Sequence, residues 1–171
     1  VAVNIDSVVH PITTEVVCHA IEQAQRVNAT ALLIRLNTPG GMLDATRETV
    51  SCLLTSPIPV VTLVRPSGGR AASAGFFLLL AGDIAAMTEG ANAGAASPIL
   101  LGQTMDPVLR KKVESDAAAS LRALASRRGR NAEVAETAVL EAKSFTHQEA
   151  LDKKLIDLIV RDEADLWAKL D

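Results

Sequence analysis

Ser73 stands in the segment Pro66-Ser-Gly-Gly-Arg-Ala-Ala-Ser73-Ala-Gly75, between the apolar run Pro59-Val-Val-Thr-Leu-Val64 and the apolar run Phe76 to Leu80. The first run reads as a buried strand and the second as a buried helix, which puts Ser73 at the helix N-terminus and the strand's carboxyl end. Unpaired backbone N–H groups and the positive end of the helix dipole gather there, an environment that stabilises a developing oxyanion. A second glycine turn, Asn37-Thr-Pro-Gly-Gly41, lies upstream between the run Ala31 to Leu36 and a helix from Met42 to about Ser56. The amides of Gly40 and Gly41 have no side chain to shield them. A serine between two such turns points to acyl chemistry: attack on a carbonyl, with the oxyanion held by backbone donors.

A serine nucleophile needs a base. The chain has three histidines, His10, His19 and His147, none of them between residues 20 and 146. His10 falls in the first loop, His19 on the first helix, and His147 in the helix-start pattern Thr146-His-Gln-Glu149. A Ser-His-Asp arrangement is therefore poorly supported. Lysine can replace histidine where desolvation disfavours the ammonium form. Lys111 and Lys112, at the start of a long helix, are the candidates, and the residues alone leave open both the choice between them and a plain solvated Arg110-Lys-Lys112 run.

The elements that must hold these groups alternate. A strand is expected at Val1 to Ile5, a helix from Thr13 or Thr14 to Val27, a strand at Ala31–Leu36, and the two β-turn-α units around Gly40-Gly41 and Ser73. Asp83 to Met87 and Ala93 to Ala96 read as further extended segments. The unpatterned stretch Ser97 to Pro107 reads as a mobile loop at the edge of the site. Helices at Val108–Arg128, from Asn131 to Glu141 and at Gln148–Lys153 follow, then a strand at Leu155–Val160 and a polar terminal helix. The fold class is α/β, with a parallel sheet flanked by helices and both glycine turns at one sheet edge, where ligands gather in open α/β folds.

With 171 residues, 49% of them hydrophobic, the chain suffices for one domain with a sizeable core, and residues 1–171 are read as a single domain. Aromatics are 2%, so aliphatic residues must fill that core. A net charge of -3 argues against a nucleic-acid partner. Cys18 and Cys52 are too few for a zinc site or a disulfide framework; buried free thiols are expected, with a single bridge left open. Nothing reads as a metal or cofactor site. No run approaches a membrane span, and a start at Val-Ala-Val without a leader suggests a soluble piece of a longer protein.

Leu36-Asn-Thr-Pro-Gly-Gly41 and Gly69-Arg-Ala-Ala-Ser-Ala-Gly75, with the spacing between them, resemble the Clp-protease/crotonase superfamily. Ala85-Ala-Met87, Gly94-Ala-Ala96, Lys112-Val-Glu-Ser-Asp-Ala-Ala118, Arg127-Arg-Gly-Arg-Asn131 and Phe145-Thr-His-Gln-Glu-Ala150 sharpen this to the NfeD-type membrane-bound serine proteases, a ClpP-class family that cleaves stomatin-like partners. The resemblance covers nearly the whole chain. It implies a ClpP/crotonase-like spiral of β-turn-α units and a serine endopeptidase with Ser73 as nucleophile and Lys112 as general base. It also implies an oxyanion hole from Gly41, with Gly40 beside it, and the Ala74 amide. A hydrophobic polypeptide substrate, no cofactor, self-association, and membrane attachment of the full-length protein with an extracytoplasmic protease domain belong to the same expectation. Ser115 stands where the family usually has asparagine. A crotonase-type acyl-CoA enzyme and a catalytically idle binding scaffold are the competing classes; a thioester substrate would mark the first, binding without turnover the second.

Overall fold

The computed structural model describes residues 1–99 and 102–171. Five parallel strands, β1 (Ala2–Ile5), β2 (Leu32–Leu36), β3 (Val60–Val64), β5 (Ile84–Thr88) and β8 (Leu158–Val160), form the main sheet in the order β1-β2-β3-β5-β8. A second sheet of three short strands, β4 (Arg70–Ala72), β6 (Asn92–Gly94) and β7 (Ser144–Thr146), lies in the order β4-β6-β7. Each strand of the main sheet is added on the same side of its predecessor. With right-handed crossovers, such a progression places every connecting helix on one face. The packing follows that rule. Alternate residues Leu32, Ile34 and Leu36 join a core with α1 (Pro11–Arg26), α2 (Leu43–Leu54), α3 (Ala74–Ala81), α4 (Pro107–Arg127) and α5 (Ala132–Leu140). The opposite face, with Leu33, Val61, Leu63 and Ala86, is covered by Leu166 of α7 (Glu163–Leu170). A short α6 (His147–Asp152) precedes β8.

Arg35 of β2 ties α7 to the sheet by a two-pronged pair with Glu163, both distances 2.8 Å. The hydrogen bonds of this pair hold the Glu163 carboxyl below its ordinary range and the Arg35 guanidinium above its own.

The helix that carries the serine is unusual in being buried over all eight residues. Its last carbonyls cannot reach water, so side chains must satisfy them. Thr62 Oγ1 donates to Leu79 O at 2.8 Å, Arg130 Nη1 to Leu80 O at 2.9 Å, and Arg128 Nε to Ala81 O at 2.9 Å. Arg130 is itself buried and also donates to Asp157 at 2.8 Å; burial pulls its guanidinium below the ordinary range, and Asp157 opposes that shift. The Arg127-Arg-Gly-Arg130 run thus anchors the C-terminal end of α3, and through it the position of Ser73.

Sequence and structure differ in several places, the last strand for one being Leu158–Val160 rather than Leu155–Val160. The first helix begins at Pro11 rather than at Thr13 or Thr14, because proline fits the first helical position, and the His10 amide donates to Thr13 Oγ1. Val16 and Val27, which helical spacing groups with Val17, Ile21 and Ala24 on the apolar face, lie outward, the core stripe being Val17, Ala20, Ile21 and Ala24. The strand β4, too short to show a period, pairs with β6 immediately before the serine. Finally, the cysteines are not free: Cys18 and Cys52 form a disulfide between α1 and α2, with a Cα–Cα distance of 5.6 Å. The two thiols sit on half-buried flanks of helices that pack side by side, where Thr14 Oγ1 also donates to Ala45 O. Helical spacing shows each flank but not that the two face one another. Closing 34 residues of separation restricts the unfolded chain, so reduction or a Cys18→Ser/Cys52→Ser variant should cost about 2–4 kcal/mol of stability, read as a lower urea midpoint at unchanged slope.

Of the loop Ser97–Pro107, positions 100 and 101 lie outside the described residues. Elsewhere in it, Ser97 Oγ donates to Val139 O, Met105 is buried, and the Asp106 side chain caps α4 by accepting from the Val108 amide.

Candidate active site

Ser73 is the N-cap of α3, with φ 53° and ψ -116°. A positive φ in a non-glycine residue is uncommon and is kept only where surrounding contacts enforce it. Those contacts are backbone pairings: the Ser73 amide donates to Gly94 O at 2.8 Å, and the Ala72 amide to Thr38 O at 3.1 Å. The strand-to-helix turn is thereby clamped between β6 and the segment after β2. The side chain is half-buried, and among the described residues no group is hydrogen-bonded to its Oγ.

The glycine turn of residues 40–41 lies against this serine. A Cβ placed on Gly40 would fall 2.8 Å from Ser73 Cβ and 3.2 Å from Ser73 Oγ, so only glycine leaves room for the serine side chain. Its φ of +130° excludes other residues independently. Gly41 has no space for a side chain either, since a Cβ would overlap the Val9 backbone. That contact is a bridge: the Val9 amide donates to Gly40 O at 2.8 Å and the Met42 amide to Val9 O at 2.9 Å.

The amides divide by what they already do. Gly40 N–H donates to Thr38 Oγ1 at 3.2 Å. Among the described residues, the amides of Gly41 and Ala74 have no acceptor, the first on an exposed turn and the second opening α3. Of the three positions expected to form an oxyanion hole, two therefore present unused donors, and Gly40 contributes close approach to Ser73 instead.

The lysines sit otherwise than the sequence suggests. The first six residues of α4, 107–112, are all exposed, so Lys111 and Lys112 both point into solvent in the single chain. The buried stripe of α4 is Ala117, Ala118, Leu121, Leu124 and Ala125. At about 100° per residue, Lys112 falls on the side of α4 opposite to this stripe. Helical spacing from Val113, Ala117, Leu121 and Leu124 sets both lysines beside the core stripe, and a base is expected buried near Ser73; Lys112 is instead exposed on the far side, because the N-terminal turns of α4 project beyond the body that buries the rest of the helix. Nor, among the described residues, is a histidine hydrogen-bonded to Ser73. His147 Nδ1 accepts from the Gly90 amide at 3.1 Å, and His19 is exposed beside Gln23. Among the described residues, no His, Cys, Asp or Glu cluster could hold a metal ion.

A spiral of β-turn-α units with a serine at the head of a buried helix and a glycine turn packed against it is the ClpP-like arrangement. The chain belongs to the family described as NfeD1b, N-terminal domain, whose model matches residues 1–166. It is 36% identical over 148 residues to the membrane-bound protease PH1510 of Pyrococcus horikoshii, an alignment covering 85% of this chain and 34% of that protein. The chain thus spans about a third of the length of that curated relative. Among solved structures, it is similar to a mutant form of 1510-N, a membrane-bound stomatin-specific protease, with a TM-score of 0.91 and 33% identity, covering 98% of this chain and 82% of the other. A second 1510-N structure, a lysine-to-alanine form in complex with a substrate peptide, matches with the same TM-score and identity, covering 98% and 78%. The form of 1510-N described as specific for a stomatin homolog from Pyrococcus horikoshii matches with a TM-score of 0.83 at 32% identity, covering 98% and 76%.

Proposed function

We propose that this chain is the protease domain of a serine endopeptidase working through a Ser73–Lys112 dyad. The observation that carries the reading is the juxtaposition at Ser73: a serine at the head of a buried helix, a glycine turn against its Cβ and Oγ, and two amides, of Gly41 and Ala74, without acceptors among the described residues. In this reading Lys112, as the neutral amine, takes the proton from Ser73 Oγ as Oγ bonds to the scissile carbonyl carbon. The carbonyl oxygen becomes an oxyanion held by Gly41 and Ala74. The tetrahedral adduct collapses with loss of the amine, which takes the proton back from Lys112, and water then hydrolyses the acyl-enzyme by the same route. No step calls on a cofactor.

The substrate proposed is a polypeptide with apolar segments, of the stomatin-like membrane class named for the 1510-N relatives. Met42 and Leu43 beside the glycine turn and Val108 and Leu109 beside the lysines are exposed apolar residues that suit such a substrate. The full-length protein is proposed to be membrane-attached, as its relative is named, although no helix among the described residues is long and apolar enough to cross a membrane. The Cys18–Cys52 disulfide favours an extracytoplasmic place for this domain, since such bonds persist in oxidising compartments. Self-association belongs to the same reading. An uncovered helix end bearing Val108, Leu109 and Lys112 is a surface that a second copy would bury, and sedimentation showing only 18.0 kDa particles at high concentration would refute it.

The experiment that tests the activity is labelling with a fluorophosphonate, which reacts with activated serines. The adduct is expected on the peptide that contains Ser73; labelling elsewhere, or none, would set the reading aside.

A further inference from the structure

Thr38 has no role in the chemistry above, yet it is fully buried and is bonded to both halves of the site. Its backbone joins the strand that leads to the nucleophile: the Thr38 amide donates to Arg70 O at 2.8 Å, and Thr38 O accepts from the Ala72 amide at 3.1 Å. Its hydroxyl serves the other half. Oγ1–H donates to Ser7 O at 2.6 Å, and Oγ1 accepts from the Gly40 amide at 3.2 Å. Its methyl closes the arrangement, because a Cβ built on Gly75, in the first turn of α3, would lie 2.5 Å from Thr38 Cγ2. One side chain therefore touches the loop before α1, the glycine turn and the nucleophile's helix.

We infer that Thr38 is a positioning residue that sets the Gly40-Gly41 turn against Ser73; the inference rests on the Ser-Lys reading above. The hydroxyl fixes which amide is spent and which is offered. While Gly40 N–H is held by Oγ1, the peptide unit that follows it is oriented by the Val9 bridge, and the Gly41 amide is left without an acceptor. Valine has the shape of threonine but offers no acceptor to Gly40 and no donor to Ser7. Thr38→Val would leave the buried Gly40 amide and the part-buried Ser7 carbonyl to find new partners, and the turn would shift to supply one to Gly40. A shift of about 1 Å at a reacting centre costs on the order of 100-fold in rate.

The test compares wild type, Thr38→Val and Thr38→Ser in cleavage of a quenched fluorescent peptide of apolar sequence and in acylation by a fluorophosphonate. Amide hydrogen exchange at Gly40 and Gly41 is followed by NMR. Thr38→Val is expected to lose about 10- to 100-fold in kcat and in acylation rate with KM within about twofold, while exchange at Gly40 accelerates. Thr38→Ser, which keeps the hydroxyl, should restore both the rate and the slow exchange. Wild-type kcat in Thr38→Val, or Thr38→Ser as slow as Thr38→Val, overturns the inference. So does a Gly40 amide that exchanges as fast as Gly41 in the wild-type protein, a measurement that stands even if the valine variant does not fold. If Ser73→Ala cleaves as wild type does, the Ser-Lys reading fails and takes this one with it. An inactive Ser73→Ala beside a fully active Thr38→Val defeats the Thr38 role alone.

Discussion

Replacing Ser73 by alanine should reduce peptide cleavage by about 10⁴- to 10⁶-fold, the loss that follows removal of a nucleophile whose partners act with it as a unit. The fold should survive. Among the described residues Ser73 Oγ has no hydrogen-bond partner, so its removal strands no buried donor or acceptor. The clamps that hold the turn are backbone bonds, from Ser73 N to Gly94 O and from Ala72 N to Thr38 O, and they do not depend on the side chain. The positive φ of 53° burdens alanine as it burdens serine. Thermal melting of Ser73→Ala should accordingly overlay wild type. Ser73→Gly, equally inactive, should melt no lower, because glycine tolerates that conformation. Turnover near the wild-type rate in either variant would end the protease reading; inactivity accompanied by a large loss of stability would show that the serine holds the turn.

Much of this site was legible in the sequence because its signals are local. Two β-turn-α units need only an apolar run, a glycine pair and a second apolar run, and the structure places both glycine turns at the same end of β2 and β3. Asn131 and Thr146 were readable as helix caps for the same reason, and each accepts from the amide three residues on. What was not legible depends on contacts between distant segments. The Cys18–Cys52 bond requires the facing of two helices, and the engagement of the Gly40 amide requires the rotamer of Thr38. Thr38 carried a signal of a kind: a polar residue between an apolar strand and Pro39-Gly-Gly41 has to spend its hydroxyl within the turn if it is buried. The exposure of Lys112 was hidden for another reason. Helical periodicity already turns Lys112 away from the buried stripe, but it does not give where the body beneath α4 ends, and it is that end which leaves all of residues 107–112 exposed.

Lys112→Ala should be nearly as damaging as Ser73→Ala, within about tenfold of it, and the double variant should lose little more, because nucleophile and base fail together. Lys111→Ala should be mild. The structure makes the reason for this contrast more demanding than the sequence did. A free lysine holds its proton until about pH 10.4, so an amine that is to accept one near neutrality has to be stripped of water. The single chain does not do this for Lys112, which is exposed at the projecting end of α4 with Val108 and Leu109. The covering must then come from the peptide laid across the site or from a second copy of the chain. On either route the activity requires that cover as well as Lys112 itself. The routes separate by concentration. Cover by a second copy makes specific activity increase with enzyme concentration until assembly is complete, whereas cover by substrate leaves it constant. Should Lys111→Ala be the inactive variant, the base is the neighbouring residue and the match to the family is displaced by one position. Should both lysine variants cleave normally while His147→Ala does not, the dyad is refuted, and His147 would have to give up its bond from the Gly90 amide to reach the serine.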